Sequence, residues 1–290
     1  MDKDLFVRLE KMMPKMSKGH KLIANYILTH YDKAAYMTAQ KLGKVVGVSE
    51  STVVRFASEI GFEGYPELQH ALKELMRNKL TAVQRIEVSS DQMTRDNVLD
   101  RVLSLDIDRI KYTLEHTSKD DFNDAVDKII GCNAIYIIGA RSAAPLASFL
   151  HYYFNMIFPQ VKLIKNTTTS ELLEQVMHIG KNDVIIGISF PRYSKQTAKI
   201  LQYASSSGAH VIAITDSMDS PLVQYANNML LAKSDMASLV DSLVAPLSLI
   251  NALIAAVTIS NVDKVTKSFG RLEEIWSKYD VYEKNEELNS

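Results

Sequence analysis

The spacing of apolar residues differs between the N-terminal and C-terminal parts of the chain. Over roughly the first 80 residues, apolar positions recur at the spacing of one face of an α-helix, and no convincing strand pattern interrupts them. Beyond Gly131 the pattern changes to short runs rich in Val and Ile that alternate with helical stretches. These runs lie at residues 134–138, 161–164, 184–188, 211–214 and 229–232. The change predicts a helical N-terminal domain followed by an α/β domain.

The five runs are apolar on both faces, which is typical of parallel strands covered by helices. Helical segments between them complete βαβ units, so we expect a three-layer αβα domain with a five-stranded parallel sheet. Helices from residue 98 and at residues 119–131 precede the sheet, and helices at about 238–260 and 263–279 follow it. Residues 78–97 lose the helical rhythm. The predicted domains are therefore 1–77 and 98–282, with a linker at 78–97 and an acidic tail at 283–290.

Composition and charge narrow the class of protein. Residues 1–80 hold 13 Lys and Arg against 9 Asp and Glu, a net charge of +4, whereas the remainder holds 20 against 25, a net charge of −5. A basic half joined to an acidic half is compatible with a nucleic-acid-binding module. The single cysteine, Cys132, forms no internal disulfide, and the histidines are scattered without metal-ligand spacing. With no secretory signal or apolar run of spanning length, we expect a soluble, cytoplasmic protein without metal or cofactor.

The stretch at residues 37–65 has the spacing of a helix-turn-helix. Thr38 is expected to cap one short helix and Ser49 to cap a second, with Gly47 in the tight turn between them. The second helix of such a motif enters the major groove with its N-terminus first, where hydroxyls and an arginine contact phosphates and base edges. The predicted DNA-binding residues are Thr38, Ser49, Glu50, Ser51, Thr52 and Arg55. A plain helical hairpin, in which Ser and Thr only cap, is the alternative.

Two hydroxyl-rich loops follow strands of the predicted sheet, at the edge where open α/β sheets bind ligands. Ser142 in the first loop is expected to cap the next helix, whose N-terminus attracts anions. The predicted ligand-binding residues are Gly139, Arg141, Ser142, Ser189, Arg192, Ser194 and Thr197. Either loop alone is compatible with helix capping only, whereas two such loops on one sheet favour an anion site. Residues 187–191 resemble a hydrolase nucleophile elbow, but Pro191 stands in place of its last glycine.

The N-terminal motif resembles a known family. Residues 48–56 (VSESTVVRF), followed by residues 60–62 (IGF) and 64–68 (GYPEL), resemble the helix-turn-helix signature of the RpiR/MurR family of bacterial regulators. Gly43 and Lys44 depart from it, because the family more often has Ala and an acidic residue there.

The α/β half is similar to the sugar isomerase (SIS) domain that these regulators carry. The similarity rests on residues 137–142, the loop at 189–197, and residues 208–216 and 220–222. It implies that Ser142, Ser189, Ser194 and Thr197 bind a phosphate. Arg141 and Gln196 are departures, which bear on the identity of the ligand more than on the phosphate site.

The resemblance implies a DNA-binding regulator of a carbohydrate-metabolism operon, not an enzyme, controlled by a phosphorylated sugar or related metabolite. Its expected partners are operator DNA, that effector, and further copies in a homodimer or dimer of dimers. The alternative is a phosphosugar isomerase with an appended helical domain, with a base among Glu171, Glu174 and His178 on one predicted helix. A solvated surface role is favoured for those three residues. A third possibility is a DNA-binding protein whose α/β half only oligomerises.

Overall fold

The computed structural model describes residues 3–76, 81, 83–86, 93–165, 168–235 and 240–282. The chain forms two compact units: Met1–Leu103 with Asp235–Asp241, and Ser104–Ser234 with Ser242–Ser290. Much of the predicted linker and the whole predicted tail lie outside the described residues, although residues 83–86 form a helical turn. The domain boundaries at residues 77 and 98 therefore stay predictions.

The first unit is helical in the residues described. Its helices are α1 (Lys3–Met12), α2 (Lys18–Thr29), α3 (Tyr31–Ala34), α4 (Ala39–Val46), α5 (Glu50–Glu59) and α6 (Tyr65–Met76). The caps predicted at Thr38 and Ser49 are present, since their side chains accept the N–H groups of Lys41 and Thr52. Gly47 ends α4 with a φ of 76°, in the left-handed region that a residue without Cβ adopts at little cost.

Apolar residues of α4 and α5 bury themselves against α2 and α6. Leu42, Val53, Phe56 and Ile60 are almost fully buried in one core with residues from all four helices. The packing follows from the helical spacing of these residues, which puts them on the inner face of each helix. The two helices of the predicted helix-turn-helix are thus held as one rigid element.

The second unit is an α/β domain, and the division between the units falls within α7. Its elements are α7 (Val98–His116), α8 (Lys119–Gly131), β1 (Ile135–Gly139), α9 (Ala144–Ile157), β2 (Val161–Leu163), α10 (Thr169–Val176), β3 (Val184–Ile188), α11 (Lys195–Ser206), β4 (His210–Thr215), β5 (Asn228–Leu231), α12 (Val244–Ser260) and α13 (Val262–Lys278). In the described residues the sheet has five parallel strands in the order β2-β1-β3-β4-β5.

Alternate residues of the strands enter two separate cores. Ile135 and Ile137 of β1 pack with α8, α9 and α12, whereas Tyr136 and Ile138 pack on the opposite face with α10 and α11. Successive side chains of a strand point to opposite faces, so strands apolar on both faces require a helical layer on each side. The predicted three-layer architecture is confirmed, and each strand lies within one residue of its predicted position.

Two predicted helices have different bounds in the structure. The helix expected from about residue 238 begins at Val244; residues 236–239 lie outside the described part, and 240–243 are not helical. The Ser242 hydroxyl accepts the N–H of Val244 and donates to Asp106, so side-chain bonds compete with helix formation there. The helix predicted to carry Glu174 and His178 on one face ends at Val176.

Among the described residues, no single helix is both long enough and apolar enough to cross a membrane. The helices α12 and α13 meet that standard only when taken together, and their axes are bent by 101° where they join.

Candidate DNA interface and ligand site

A cluster of hydroxyl groups surrounds the N-terminus of α5. The Ser49 Oγ lies 2.9 Å from the Ser51 Oγ and 2.8 Å from the Thr52 Oγ1, and it accepts the N–H of Thr52 at 3.3 Å. Ser49, Glu50 and Ser51 are exposed, and Thr52 is half-buried. The exposed end of a helix with unpaired N–H groups and hydroxyls provides hydrogen-bond donors for phosphate oxygens.

Arg55 lies one turn further along α5 and is exposed. Its Nε donates to the Ser51 carbonyl at 3.3 Å, so the guanidinium lies beside the hydroxyl cluster. Thr38 is exposed at the start of α4 and is not part of that cluster. The structure therefore brings five of the six predicted DNA-binding residues together on α5 and leaves Thr38 on the preceding helix.

The turn between α4 and α5 packs against Gly43. A Cβ added there would lie 2.8 Å from the Val48 carbonyl oxygen, which is closer than real Cβ contacts. Gly43 was noted as a departure from the family pattern, and in this structure the close approach of the turn accounts for the glycine. The tight contact keeps the first turn of α5 close to α4.

Tyr65 and Gln69 of α6 hold Met37, which precedes the cap residue Thr38 of α4. Both side chains donate to the Met37 carbonyl oxygen, at 2.7 and 2.6 Å. Burial raises the pKa of the Tyr65 phenol above its ordinary value, so the phenol stays a donor. No role for Tyr65 or Gln69 was predicted from the sequence, although Tyr65, after Gly64, belongs to the stretch that resembles the family signature.

The two predicted ligand loops leave neighbouring strands. In the sheet β1 lies beside β3, and Gly139 pairs with Ile188, the last residue of each strand. Adjacent strands are about 4.8 Å apart, so the loops that follow begin side by side. The order β2-β1-β3-β4-β5 places the reversal of strand order between β1 and β3, which is where doubly wound sheets bind ligands.

The first loop turns back sharply over Gly139. A Cβ added to Gly139 would lie 2.6 Å from the Ala143 carbonyl oxygen, within a 3₁₀ turn of Arg141–Ala143. The expectation that Ser142 caps the next helix is wrong: this turn intervenes, and the cap residue of α9 is Ala143, without a side-chain bond. Ser142 is exposed. Its hydroxyl is therefore not committed to capping α9.

The second loop is held by its own hydroxyl groups. The Ser194 hydroxyl caps α11 by accepting the N–H of Thr197 at 3.2 Å, and the Ser189 hydroxyl accepts the N–H of Ser194 at 3.1 Å. Ser189 and Thr197 are buried. Within the part of the chain that the structure describes, the Thr197 hydroxyl has no hydrogen-bond partner. An unsatisfied buried hydroxyl is destabilising, and such groups are rare unless they have a functional role.

Arg141 and Arg192 each have a strained backbone conformation, one in each of the two loops. Their φ angles are 57° and 66°, and among the described non-glycine residues only Asp280 shares a positive φ. This conformation costs roughly 1–2 kcal/mol for a residue with a Cβ. Both arginines are exposed. Strained backbone of this kind concentrates at functional sites, and here it lies in both predicted ligand loops.

A third loop, after β4, supports the second one and was missed. The Tyr193 hydroxyl donates to the buried Asp216 carboxylate at 2.9 Å, and the Thr215 hydroxyl lies 2.8 Å from both the Ser189 carbonyl oxygen and the Ser220 hydroxyl. The sequence signal was a Thr-Asp pair directly after a strand, a polar pair at the ligand-binding edge of the sheet. In the sequence analysis this pair was used only as part of the stretch that resembles the SIS domain, and no role in the site was predicted for it.

The residues considered for an isomerase base lie on the surface. Glu171 forms a capping box with Thr168, and Glu174 accepts a hydrogen bond from Ser170 at 3.2 Å. His178 follows the end of α10, so it does not share a helix face with Glu174. All three candidates are exposed. Among the described residues, no three His, Cys, Asp or Glu side chains form a group able to hold a metal ion.

Comparison with known protein families matches both halves of the chain. Residues 3–79 match the helix-turn-helix domain of the rpiR family, and residues 128–256 match the SIS domain. The chain belongs to the RpiR family. Its similarity to that family's signature, noted from residues 48–68, is thus confirmed, and its domain composition is that of a transcriptional regulator.

Relatives of this RpiR-family protein are named as regulators. An uncharacterized HTH-type transcriptional regulator of Clostridium perfringens is 25% identical over 216 residues, which cover 74% of this chain and 76% of the relative. The regulator HexR of Pseudomonas aeruginosa is 24% identical over 227 residues, covering 77% and 76%.

Two solved structures share the fold. The sugar isomerase domain of an RpiR transcription factor from Sphaerobacter thermophilus has a TM-score of 0.59 at 22% identity, covering 61% of this chain and 99% of that one. The Vibrio vulnificus NanR protein, complexed with ManNAc-6P, has a TM-score of 0.55 at 20% identity, covering 95% and 98%.

Proposed function

We propose that this RpiR-family protein is a transcription regulator that binds a phosphorylated sugar between the loops after β1 and β3. Through the N-terminus of α5 it binds operator DNA of a carbohydrate-metabolism operon, as two copies on two half-sites. The effector changes the affinity for DNA, and the protein does not convert it.

The observation that carries the ligand proposal is the pairing of Gly139 with Ile188 at the ends of β1 and β3. It brings the exposed Ser142, the cap residue Ser194 and the N-terminus of α11 to the reversal point of the sheet. Helix N-termini and hydroxyls favour an anion, and the exposed guanidinium groups of Arg141 and Arg192 add positive charge. A phosphate group fits this chemistry, and the solved NanR protein is a relative in fold that was complexed with a phosphorylated sugar.

Two observations favour a regulator over an isomerase. The first unit contains the helix-turn-helix, and the candidate bases Glu171, Glu174 and His178 are exposed on the surface. An aldose–ketose isomerase needs a base beside the sugar C1 and C2 atoms, and it needs no DNA-reading module. The named relatives are regulators, which favours the same assignment.

Calorimetry and thermal unfolding test whether the effector is a phosphorylated sugar. Each sugar phosphate of a panel is compared with its unphosphorylated sugar and with inorganic phosphate, each at the same concentration. Binding to the folded state adds about 2.7 kcal/mol of stability when the ligand is at 100 times its Kd. We expect stabilisation by at least one sugar phosphate and none by its unphosphorylated sugar. Equal stabilisation by both would contradict a phosphate site.

Coupling is tested with operator DNA selected from a random duplex library. Titration of the effector into protein with and without that duplex is expected to give two different affinities, because coupling between two sites is reciprocal. The same affinity in both titrations would refute control by the effector, while DNA binding itself would still stand.

Turnover is followed by NMR with the same sugar phosphates. Interconversion of aldose and ketose that is abolished in Glu174→Gln protein would favour the isomerase instead of the regulator.

A further inference from the structure

The two ligand loops carry more positive charge than one phosphate group balances. The first loop contains Arg141, the second contains Arg192, and Lys195 begins α11 directly after the second loop. All three side chains are exposed, and residues 140–143 and 189–195, which the structure describes in full, include no Asp or Glu. A phosphate monoester carries a charge of about −1.5 to −2 at pH 7. The loops therefore favour a ligand with more negative charge than one phosphate supplies.

Arg141 has no partner among the described residues. No described group accepts a hydrogen bond from its guanidinium, and no described carboxylate lies within ion-pair distance of it. The buried carboxylate of Asp216, beside the second loop, accepts hydrogen bonds from the Tyr193 and Thr215 hydroxyls at 2.9 and 3.2 Å. The guanidinium of Arg141 is therefore available to a ligand.

The backbone at Arg141 disfavours an arginine. Its φ of 57° lies in the left-handed region, which glycine adopts at little cost and a residue with a Cβ does not. An arginine there lowers the stability of the free protein, and no contact of its guanidinium with the described residues offsets that loss. Such residues are typical of binding sites, where stability is lost in favour of function. Arg141 is also one of the two departures from the SIS pattern, so it bears on the identity of the ligand.

The guanidinium of Arg141 and the hydroxyl of Ser142 are directed to different groups of a ligand. Both residues belong to the 3₁₀ turn of Arg141–Ala143, in which successive side chains leave the axis about 120° apart. In the proposed site, Ser142 and the N-terminus of α11 bind the phosphate. The planar fork of a guanidinium donates two parallel hydrogen bonds to a carboxylate or to a phosphate. Arg141 is thus suited to a second anionic group of the same ligand.

We propose that the effector carries a second anionic group besides its phosphate, and that Arg141 binds this second group. The inference rests on the proposed function, since it concerns the effector of the same site. Two classes of compound have the required chemistry: phosphorylated sugar acids, in which the second group is a carboxylate, and sugar bisphosphates. Arg192 and Lys195 add positive charge that favours either class over a sugar with one phosphate.

Matched pairs of ligands test the second group. Calorimetry compares 6-phosphogluconate with glucose 6-phosphate, and fructose 1,6-bisphosphate with fructose 6-phosphate, and the corresponding pentose pairs follow. The members of a pair share the carbon chain and the first phosphate, and one of them carries the second anionic group. We expect at least one doubly anionic compound to bind at least about tenfold more tightly than its partner, the usual effect of charge-assisted hydrogen bonds. A preference for 6-phosphogluconate identifies a sugar acid, and a preference for the bisphosphate identifies that class.

The result also separates this inference from the proposed function. Equal affinities within every pair, or tighter binding of the singly phosphorylated members, would overturn the second anionic group and leave the phosphate site intact. Absence of binding by every compound of both kinds would refute the phosphate site and this inference together.

The variant Arg141→Gly tests the residue. Glycine removes the guanidinium and relieves the backbone, so we expect the Tm not to fall, while the affinity for the doubly anionic ligand decreases about tenfold or more. The affinity for its singly phosphorylated partner is expected to change less than about twofold. Lys128→Gln is the control, because it removes an exposed positive charge from the last turn of α8, which precedes β1 at the opposite end of the strands.

Two outcomes with these variants contradict the assignment. Equal weakening of both members of a pair by Arg141→Gly would show that Arg141 binds the same phosphate as Ser142, and it would overturn the proposal. Weakening by Lys128→Gln as large as that by Arg141→Gly would show an effect of net charge alone, and it would remove Arg141 from the site.

Discussion

Substitution of Gly139 by alanine tests the geometry of the first ligand loop. The added Cβ would lie 2.6 Å from the Ala143 carbonyl oxygen and 3.0 Å from both the Ala143 carbonyl carbon and the Ala147 Cβ. Two of these three atoms belong to the backbone, so the strain cannot be relieved by rotation of a side chain. The loop has to move away from β1, and the N-terminus of α9 moves with it.

Overpacking of this kind typically costs about 1–3 kcal/mol. For a domain of roughly 150–250 residues, each kcal/mol lowers the Tm by about 2–4 °C, so we expect a decrease of about 2–12 °C. The same displacement moves Ser142 and Arg141 away from the second loop. We therefore expect the affinity for the effector to decrease as well.

Gly180→Ala is the matched control, because a Cβ there meets no atom within 4 Å and Gly180 lies at the other end of β3. Thermal unfolding and calorimetry with a sugar phosphate are measured on both variants. Gly180→Ala is expected to keep the native stability and affinity. If Gly139→Ala is as stable as Gly180→Ala and binds effector as tightly, the loop does not close over Gly139 as described.

Three further predictions concern single side chains. Ser142→Ala is expected to weaken effector binding about tenfold or more without changing the Tm, because Ser142 is exposed and caps no helix, whereas Ser148→Ala on the exposed face of α9 changes neither. Arg55→Ala is expected to cost about 1–3 kcal/mol of operator affinity in electrophoretic mobility-shift titrations, and unchanged affinity in the folded variant would remove Arg55 from the interface. Burial, with the Asp183 carboxylate adding to the effect, raises the pKa of the Cys132 thiol to about 11. Iodoacetamide at pH 8 should therefore modify Cys132 slowly in the folded protein and faster in urea; equal rates would contradict this burial.

Local signals in the sequence determined the elements and several of their ends. A cap such as Ser49 accepts an N–H from three residues away, and Gly47 adopts its left-handed φ within the three-residue connection between α4 and α5. The strands could also be predicted from the sequence. A run of Val and Ile that is apolar on both faces requires helices on both sides of the sheet, whichever strand lies next to it. These features depend on neighbours along the chain, which a single sequence contains.

Contacts between residues far apart in the sequence decided which loops and side chains come together at the candidate site. Strand order brought Gly139 beside Ile188, and the fold brought Asp216 to Tyr193, a pairing that no local pattern indicates. The same limit explains Ser142, where a hydroxyl in a suitable position was taken as a cap although the chain makes a 3₁₀ turn first.

The helix α7 shows the limit most clearly. Periodicity predicted a helix from residue 98. In the structure the buried face holds Arg109 and Thr113, while Leu114 is 75% exposed. Helical spacing gives the side of a helix on which apolar residues lie, but it does not give the surface that covers them. That surface is decided by the hydrogen bonds of Asp106 and Thr113 to residues more than 100 positions away.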